Sequence, residues 1–297
     1  MARLGRVLSA MVTPFDDNGA LDLDVARQLA RWLQEQGNEG LVVAGTTGES
    51  PVLTDDERLS LFAAVIEAVT IPVVAGTGTN DTAHSVHLTK EAEALGAAGI
   101  LAVCPYYNRP SQAGIEGHLR AMAAATPLPQ MVYDIPVRTG RKISTALLMK
   151  LAREVPNVVA LKDAAGNPGE TASLIAQAPE GFEVYSGDDG LTLPLLASGI
   201  VGTVGVATHW TAPDHQEMFR LWDAGDTAGA RRVNARMLDS FAFETGDDAP
   251  NPIPTKAMMR HMGFAVGQAR LPMGNAPAFV EERAPKVLAD LIARRGA

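Results

Sequence analysis

The sequence is poor in the residues that build covalent cross-links and metal sites. Its single cysteine, Cys104, can form neither an internal disulfide nor, by itself, a cysteine-ligated zinc site. Among the six histidines only His84 and His87 have a spacing that places two rings on one helix face, and no acidic motif completes a ligand set there. Asp188 and Asp189 alone are too few for a magnesium site. We therefore expect no resident metal.

Positive charge and long apolar runs are also scarce. The 25 basic residues are outnumbered by 34 acidic ones, which argues against nucleic acid or an anionic membrane as a partner. This excess of acidic residues does not exclude anionic substrates, because one local cation can reverse the electrostatic field inside a pocket. No run has the length of a transmembrane helix, and no apolar core of a signal peptide follows the first residues. We expect a cytoplasmic protein that acts on small molecules.

What the sequence does contain is a regular alternation of short apolar runs with helical patterns. Most of the runs are apolar throughout, as in parallel strands that are buried on both faces. This predicts an α/β fold, a (β/α)₈ TIM barrel over residues 1–225. A doubly wound open sheet is the alternative, but no G-x-G-x-x-G follows the first run. The eight predicted strands are residues 7–13, 40–44, 72–75, 99–103, 130–133, 158–161, 182–185 and 201–206.

The alternation stops near residue 225. Three further helical patterns, 228–241, 255–262 and 278–294, flank a loop rich in Pro, Gly and Asn around 247–254. Residues 226–297 are therefore predicted to form a C-terminal helical extension packed on the barrel rather than a second domain.

Functional groups of a TIM barrel lie at the C-terminal ends of its strands, so position along each run is informative. Lys162 follows the sixth run, where desolvation would lower its pKa and make it an amine nucleophile. The alternative is a lysine that reaches solvent or pairs with Asp163.

Two further loops carry candidate substrate-binding groups. Residues 45–50, Gly-Thr-Thr-Gly-Glu-Ser, could form a backbone nest for a small carboxylate or a plain turn. Tyr133 ends the fifth run, where its phenol could move protons or simply pack in the core. Arg138 follows in a proline-stiffened loop and could fork onto a carboxylate or remain solvated.

Aromatic and glycine-rich segments complete the candidates. Tyr106 and Tyr107 stand between prolines, as in a rigid packing knob at an interface, with a catalytic tyrosine as the alternative. Segments 185–189 and 202–205 are similar to the phosphate loops of TIM barrels. Because Asp188 and Asp189 oppose a phosphate, a neutral or carboxylate ligand close to the backbone is favoured.

In order and spacing, these motifs resemble the dihydrodipicolinate synthase family, part of the pyruvate-dependent class I aldolase and N-acetylneuraminate lyase superfamily. The resemblance runs from about Gly5 to the last helix. It rests on residues 45–50 (GTTGES), 105–110 (PYYNRP), 133–140 (YDIPVRTG), 161–163 (LKD), 251–256 (NPIPTK) and 270–273 (RLPM).

The resemblance implies four catalytic groups. Lys162 would form an imine with pyruvate, and Tyr133 would shuttle protons beside it. Thr46 and Tyr107 would extend a hydroxyl relay to solvent, with Tyr107 supplied by the neighbouring subunit. The assembly implied is a homotetramer, a dimer of dimers, in which at least the tight dimer is needed to complete the relay.

It also implies four substrate-binding residues. Thr47 would hold the pyruvate carboxylate, and Arg138 that of L-aspartate 4-semialdehyde, while Gly187 and Val204 would line the pocket through their backbone. The expected reaction is the Schiff-base condensation of these two substrates in diaminopimelate and lysine biosynthesis. No cofactor is expected, because the protonated imine is itself the electron sink.

The sequence departs from the family at two places. Asp134 stands where asparagine is usual, with little expected effect on the chemistry. Lysine-inhibited members share an interface site with histidine and glutamate, and the loss of a carboxylate there predicts weak or absent lysine feedback. At that site the chain keeps Ser50, Asn80 and Tyr106 but has Asp55, Arg58 and His84 at the histidine and glutamate positions.

Two alternatives remain from the sequence. N-acetylneuraminate lyase and 2-keto-3-deoxy sugar-acid aldolases use the same lysine and Thr-Thr loop, but Arg138 suits a carboxylate-bearing aldehyde better than a polyhydroxylated chain. A barrel that only binds a keto acid is the non-enzymatic alternative.

Overall fold

A computed structural model describes residues 2–295, and it has the barrel that the alternation predicts. All neighbouring strands pair in parallel, and β8 pairs with β1, so the sheet closes. The strands are β1 Val7–Ala10, β2 Gly40–Val43, β3 Val73–Gly76, β4 Gly99–Val103, β5 Gln130–Asp134, β6 Val158–Asp163, β7 Glu183–Ser186 and β8 Gly202–Gly205. The TIM-barrel prediction is confirmed and the open sheet is excluded.

Helices surround the barrel, and two of them are short turns near its mouth. A capping box of Thr54 and Glu57, whose three-residue spacing is visible in the sequence, begins α2. The helices up to residue 223 are α1 Leu23–Glu35, α2 Asp55–Ala68, α3 Thr82–Ala94, α4 Gln112–Ala124, α5 Pro136–Thr139, α6 Thr145–Glu154, α7 Pro168–Gln177, α8 Thr192–Leu196 and α9 Thr208–Asp223.

Side chains along each strand point alternately into the barrel interior and outward against the helices, so the protein has an inner and an outer core. In β5, Met131 and Tyr133 point into the barrel, whereas Val132 packs outward against the helices. The register sets Tyr133 opposite Lys162 on β6, and Lys162 opposite Tyr185 on β7. This register brings the phenol and the amine together at the C-terminal end of the barrel.

Two strand ends differ from the sequence prediction by two residues or more, and every other strand end agrees with it to within one residue. β1 ends at Ala10, not at residue 13, and the Met11 N–H, which donates to the Val42 carbonyl at 2.9 Å, makes the last bond to β2. β6 continues through Lys162 and Asp163, so the lysine belongs to the strand itself rather than to the loop beyond it.

Three helices follow the barrel: α10 Thr227–Phe243, α11 Ile253–His261 and α12 Ala278–Arg295. The buried Asp214 of α9 binds Arg236 of α10 and Arg295 of α12, which joins these helices to the barrel. The division of the chain at residue 225 remains a prediction, and its last two residues, 296 and 297, lie outside the described ones. No helix within residues 2–295 is long and apolar enough to cross a membrane.

Candidate active site

A cavity of about 210 Å³ opens at the C-terminal end of the barrel beside Lys162. We call it the Lys162 cavity. A second cavity of about 300 Å³, the Tyr106 cavity, adjoins it. Thr46, Tyr133 and Arg138 line both. Seven of the eight site residues that the sequence singled out, all but Val204, therefore border these two adjoining cavities.

Lys162 is a buried amine without the ion pair that one alternative assigned to it. Its side chain is only 4% exposed, and its Nζ lies 4.3 Å from the centroid of the Tyr133 ring. The Asp163 carboxylate points elsewhere and accepts hydrogen bonds from the Thr171 hydroxyl and the Ala165 N–H. Neither a solvent-reaching lysine nor a Lys162–Asp163 pair fits this arrangement.

Burial lowers the pKa of Lys162 to about 8, because the ammonium loses its hydration. The carboxyl groups of Asp189 and Glu244 oppose this lowering, and the positive charge of Arg138 adds to it. With this pKa, roughly a tenth of the lysine is neutral at pH 7, compared with fewer than about one in a thousand for an exposed lysine. A nucleophilic amine is available at neutral pH.

Tyr133 keeps its proton in the site. Burial raises its pKa to about 12, while the Arg138 charge and the Thr46 hydroxyl act in the opposite direction. A neutral phenol in contact with Thr46 both donates and accepts a proton, which is what a relay group must do.

The loop that carries Thr46 and Thr47 is held from two sides. The Thr13 hydroxyl donates to the Gly48 carbonyl at 2.6 Å, and the Asn251 amide donates to the Thr47 hydroxyl at 2.8 Å. At its end Glu49 adopts a left-handed backbone with φ of 56°. A plain surface turn does not need such support, so the structure favours a loop held in a defined shape.

Arg138 lies in the short helix α5 and is exposed at the rim of both cavities. Its guanidinium makes one long hydrogen bond, which it donates to the Asn251 carbonyl at 3.4 Å. Its charge lowers the pKa of both Lys162 and Tyr133, so its field reaches the reactive groups.

Gly187 and Val204 lie at different depths. A Cβ on Gly187 would lie 3.0 Å from the Cγ and Cε of Lys162 and from the Cβ of Ala164, so any larger residue would press on the lysine side chain. Val204 is fully buried in the inner barrel cluster, and Val206 rather than Val204 borders the Lys162 cavity. The role of Val204 remains a prediction.

Tyr106 and Tyr107 differ sharply in exposure. Tyr106 is half-buried in the Tyr106 cavity, and burial raises its pKa. Tyr107 is 89% exposed with a left-handed φ of 72°. A large aromatic side chain with this exposure is available for a contact with a second subunit. Its part in the relay remains a prediction.

The residues at the proposed lysine-effector site are occupied with one another. His84 and Asp55 pair at 2.8 Å, and the Arg58 guanidinium donates to the Ser50 carbonyl at 2.7 Å. His84 therefore has a carboxylate partner rather than a metal-site role. Within residues 2–295 no group of three or more His, Cys, Asp or Glu side chains could hold a metal ion.

The sequence reasoning missed Glu244 and gave no separate role to Asn251, although both line the Lys162 cavity. Glu244 follows the end of α10, far from any barrel strand in the sequence. Asn251 belongs to the Asn-Pro-Ile-Pro segment, the one sequence signal that pointed to this part of the chain. Only the packing of the C-terminal helices brings both residues to the cavity.

Comparisons with a family model, with related sequences and with solved structures all point to the same protein family. A model of the dihydrodipicolinate synthetase family matches residues 3–292. The chain is 47% identical over 283 residues to a 4-hydroxy-tetrahydrodipicolinate synthase of Moorella thermoacetica, covering 94% of this chain and 95% of that protein. It is 49% identical over 274 residues to one from Synechococcus sp. strain CC9605, covering 91% of this chain and 89% of that protein.

Solved structures of the same kind are similar along the whole chain. One is DHDPS from Cyanidioschyzon merolae with lysine bound, with a TM-score of 0.94 and 42% identity, covering 98% of this chain and 99% of that one. Another is a dihydrodipicolinate synthase from Bacillus anthracis, with a TM-score of 0.93 and 39% identity, covering 97% and 99%.

Proposed function

Because the chain belongs to the dihydrodipicolinate synthetase family, we propose that it condenses pyruvate with L-aspartate 4-semialdehyde through a Schiff base on Lys162. It is a lyase with 4-hydroxy-tetrahydrodipicolinate synthase activity, which serves lysine biosynthesis. The observation that carries the proposed mechanism is the Lys162 amine, buried and close to the Tyr133 ring in the cavity at the barrel mouth.

The first half of the reaction forms the imine. The neutral Lys162 amine adds to the keto carbon of pyruvate, and a proton passes from nitrogen to the former carbonyl oxygen to give a carbinolamine. Protonation of that hydroxyl, by way of Tyr133, lets it leave as water. The product is a cationic imine. Thr47 and the backbone of its loop would hold the pyruvate carboxylate.

The second half makes the carbon–carbon bond. Loss of a proton from the pyruvate methyl carbon converts the cationic imine into a neutral enamine, whose carbon attacks the aldehyde. Arg138 at the rim would hold the carboxylate of L-aspartate 4-semialdehyde, for which a forked guanidinium is well suited. The amino group of that substrate then attacks the imine carbon and displaces Lys162, which restores the free amine.

Each proton in this sequence would travel along hydroxyl groups. The chain we propose runs from Tyr133 through Thr46 to Tyr107 of a neighbouring subunit and then to solvent. Positioned acid–base groups of this kind contribute about 10²–10⁴-fold. The proposed assembly is a homotetramer built from dimers, working in the cytoplasm without a cofactor, because the cationic imine accepts the electron pair from the methyl carbon.

The test is intact-protein mass spectrometry after incubation with pyruvate and sodium borohydride. We expect a reduced pyruvyl adduct on the parent protein and on Lys90→Ala, whose side chain is exposed, and none on Lys162→Ala. Two parallel activity assays then identify the reaction, one with pyruvate and L-aspartate 4-semialdehyde and one with N-acetylneuraminate, the substrate of the alternative lyase. A folded parent protein that gives no adduct overturns the imine mechanism and favours a barrel that only binds a keto acid.

A further inference from the structure

Two carboxyl groups meet in the wall of the Lys162 cavity. Asp189 opens the short turn after β7, and Glu244 follows α10; they are 1% and 8% exposed. Asp189 Oδ1 and Glu244 Oε2 are buried, and no nitrogen or hydroxyl of residues 2–295 donates to either oxygen. The two carboxyl groups are, however, within hydrogen-bonding reach of each other.

The position of the Asp189 carboxylate is fixed by the backbone around it. Asp189 Oδ2 accepts from the Val206 N–H at 2.7 Å. A Cβ on Gly205 would collide with Asp189 Oδ1, so glycine is needed for the carboxylate to lie where it does. The pair is built into the barrel mouth rather than formed by two mobile side chains.

Neither neighbouring histidine can supply the missing hydrogen bond. His215 Nε2 lies 3.8 Å from Asp189 Oδ1, too far for a hydrogen bond, and its Nδ1 is next to the hydroxyl and the carbonyl of Thr211 at 3.2 and 3.1 Å. Nδ1 of His209 donates to Val206, and its Nε2 accepts from Val12. Burial lowers the pKa of both histidines, so neither carries a second ring proton at neutral pH.

The remaining charged groups around the pair come from three other elements. Asp188 precedes Asp189 in the chain, Lys162 projects from β6, and Arg138 lies at the rim on α5. Two ionised carboxylates in contact, with a third acid beside them, repel each other strongly when water is scarce. Burial and the nearby Asp189 charge raise the pKa of Glu244 well above its ordinary value.

We propose that Glu244 keeps a proton and donates it to Asp189 Oδ1, so that the pair carries one negative charge and serves as counter-ion to the cationic imine on Lys162. The inference rests on the proposed imine mechanism. Imine formation takes up one proton and turns a neutral amine into a cation within a site of low water content. A single fixed negative charge stabilises that cation, whereas two would hold Lys162 as ammonium and slow the nucleophilic attack. Glu244 is a positioning residue in this scheme, because it acts through Asp189.

The protonation state is tested directly by infrared spectroscopy at pH 7. The parent protein should show the carbonyl stretch of a protonated carboxylic acid, and Glu244→Gln should lose it. Glu180→Gln, which replaces an exposed glutamate, should lose a carboxylate band instead. If Glu244→Gln also loses a carboxylate band, Glu244 is ionised and the proposal is wrong. This measurement does not depend on imine chemistry.

The charge of the pair is tested by the pH dependence of borohydride trapping with pyruvate. In Glu244→Gln the amide N–H replaces the acid O–H as donor and the charge is unchanged, so the midpoint should stay at the parent value. Asp189→Asn combined with Glu244→Gln removes the charge, and the midpoint should fall by about one pH unit. A fall of that size in Glu244→Gln alone, or none in the double variant, overturns the proposal. An absent adduct in the parent would instead reject the imine mechanism.

Discussion

At the scale of the residue, the chemistry depends on how little water reaches Lys162. The same burial that lowers the pKa of the lysine raises that of Tyr133, so both groups are driven toward their neutral forms. An amine and a phenol without charge can exchange a proton with a substrate oxygen without first separating charge in a dry site. Opposite pKa shifts of neighbouring groups are typical of acid–base sites.

The lowered pKa of Lys162 predicts how imine formation depends on pH. Because the amine reacts only when neutral, the initial rate of pyruvate trapping should rise with pH and level off above about 8. The measurement is the initial rate of adduct formation between pH 6 and pH 10, with the fold checked by circular dichroism at each pH. A rate that still rises steeply near the ordinary lysine pKa of about 10.4 would contradict the desolvation argument.

Gly187 is predicted to be essential for the position of Lys162. In Gly187→Ala the new Cβ would press on the lysine side chain at 3.0 Å and displace its amine. We expect kcat/KM to fall by up to about tenfold, because the lysine must shift by a few tenths of an ångström and a misplacement of about 1 Å costs about 10²-fold.

Gly117→Ala is the matched control for Gly187→Ala. Gly117 lies in α4 with nothing near its missing Cβ, so activity should be unchanged and helix stability should rise by about 0.5–1 kcal/mol. Equal activity in the two variants would show that contact with Gly187 does not position the lysine.

At the scale of the element, the loop after β2 is tied to α11 by a buried ion pair. Glu49 and Lys256 are almost completely buried and 2.6 Å apart, and the backbone N–H of Arg270 donates to the same carboxylate. The Lys256 ammonium lies 4.1 Å from the centroid of the Phe15 ring. The loop that presents Thr46 and Thr47 therefore takes its shape from segments far away in the sequence.

Removing one partner of this pair is predicted to destabilise the protein. Glu49→Gln leaves a buried ammonium without its counter-charge, and the free energy of unfolding should fall by about 3–5 kcal/mol. Adding Lys256→Met removes the second charge and should recover most of that loss. Urea unfolding of both variants, with Glu180→Gln as a surface control, measures the effect. A double variant as unstable as the single one would show that the charges are not the cause.

At the scale of the whole molecule, the chain exposes apolar side chains that a subunit contact would cover. Tyr107, Val137 and Leu271 are each more than four-fifths exposed, and Tyr107 lines the Tyr106 cavity that adjoins the site. If the relay needs Tyr107 from a second subunit, activity depends on assembly.

Specific activity should therefore fall on dilution as the dimer dissociates. Sedimentation velocity at matched concentrations should show at least a dimer where the enzyme is active. Tyr107→Phe should slow turnover by about 10²-fold without dissociating the assembly, because only the relay hydroxyl is lost. A fully active monomer would contradict both the relay and the assembly.

Feedback by lysine is predicted to be weak. A lysine effector needs a carboxylate for its ammonium, and at this site the Asp55 carboxylate is engaged with His84 while Arg58 adds a positive charge nearby. A dose–response curve measures the effect, and half-inhibition at micromolar lysine would contradict the prediction.

The sequence by itself determined the barrel, since continuous apolar runs separated by helical patterns have few other ways to bury both faces of each strand. It also placed Lys162 and Tyr133 at strand ends and Arg138 in the loop that follows a strand, where a TIM barrel positions its reactive groups. The capping box at the start of α2 is also determined by the sequence, because it depends only on Thr54 and the residue three positions later.

Tertiary structure alone decided whether those groups have the right surroundings. Burial of Lys162 and the freedom of its amine from Asp163 depend on the strand register and on what covers the barrel mouth. The contact of Asp189 with Glu244 joins residues more than fifty positions apart, and neither helix periodicity nor a local motif indicates it. Side-chain desolvation is a property of the packed molecule, and it is what sets the reactivity of this site.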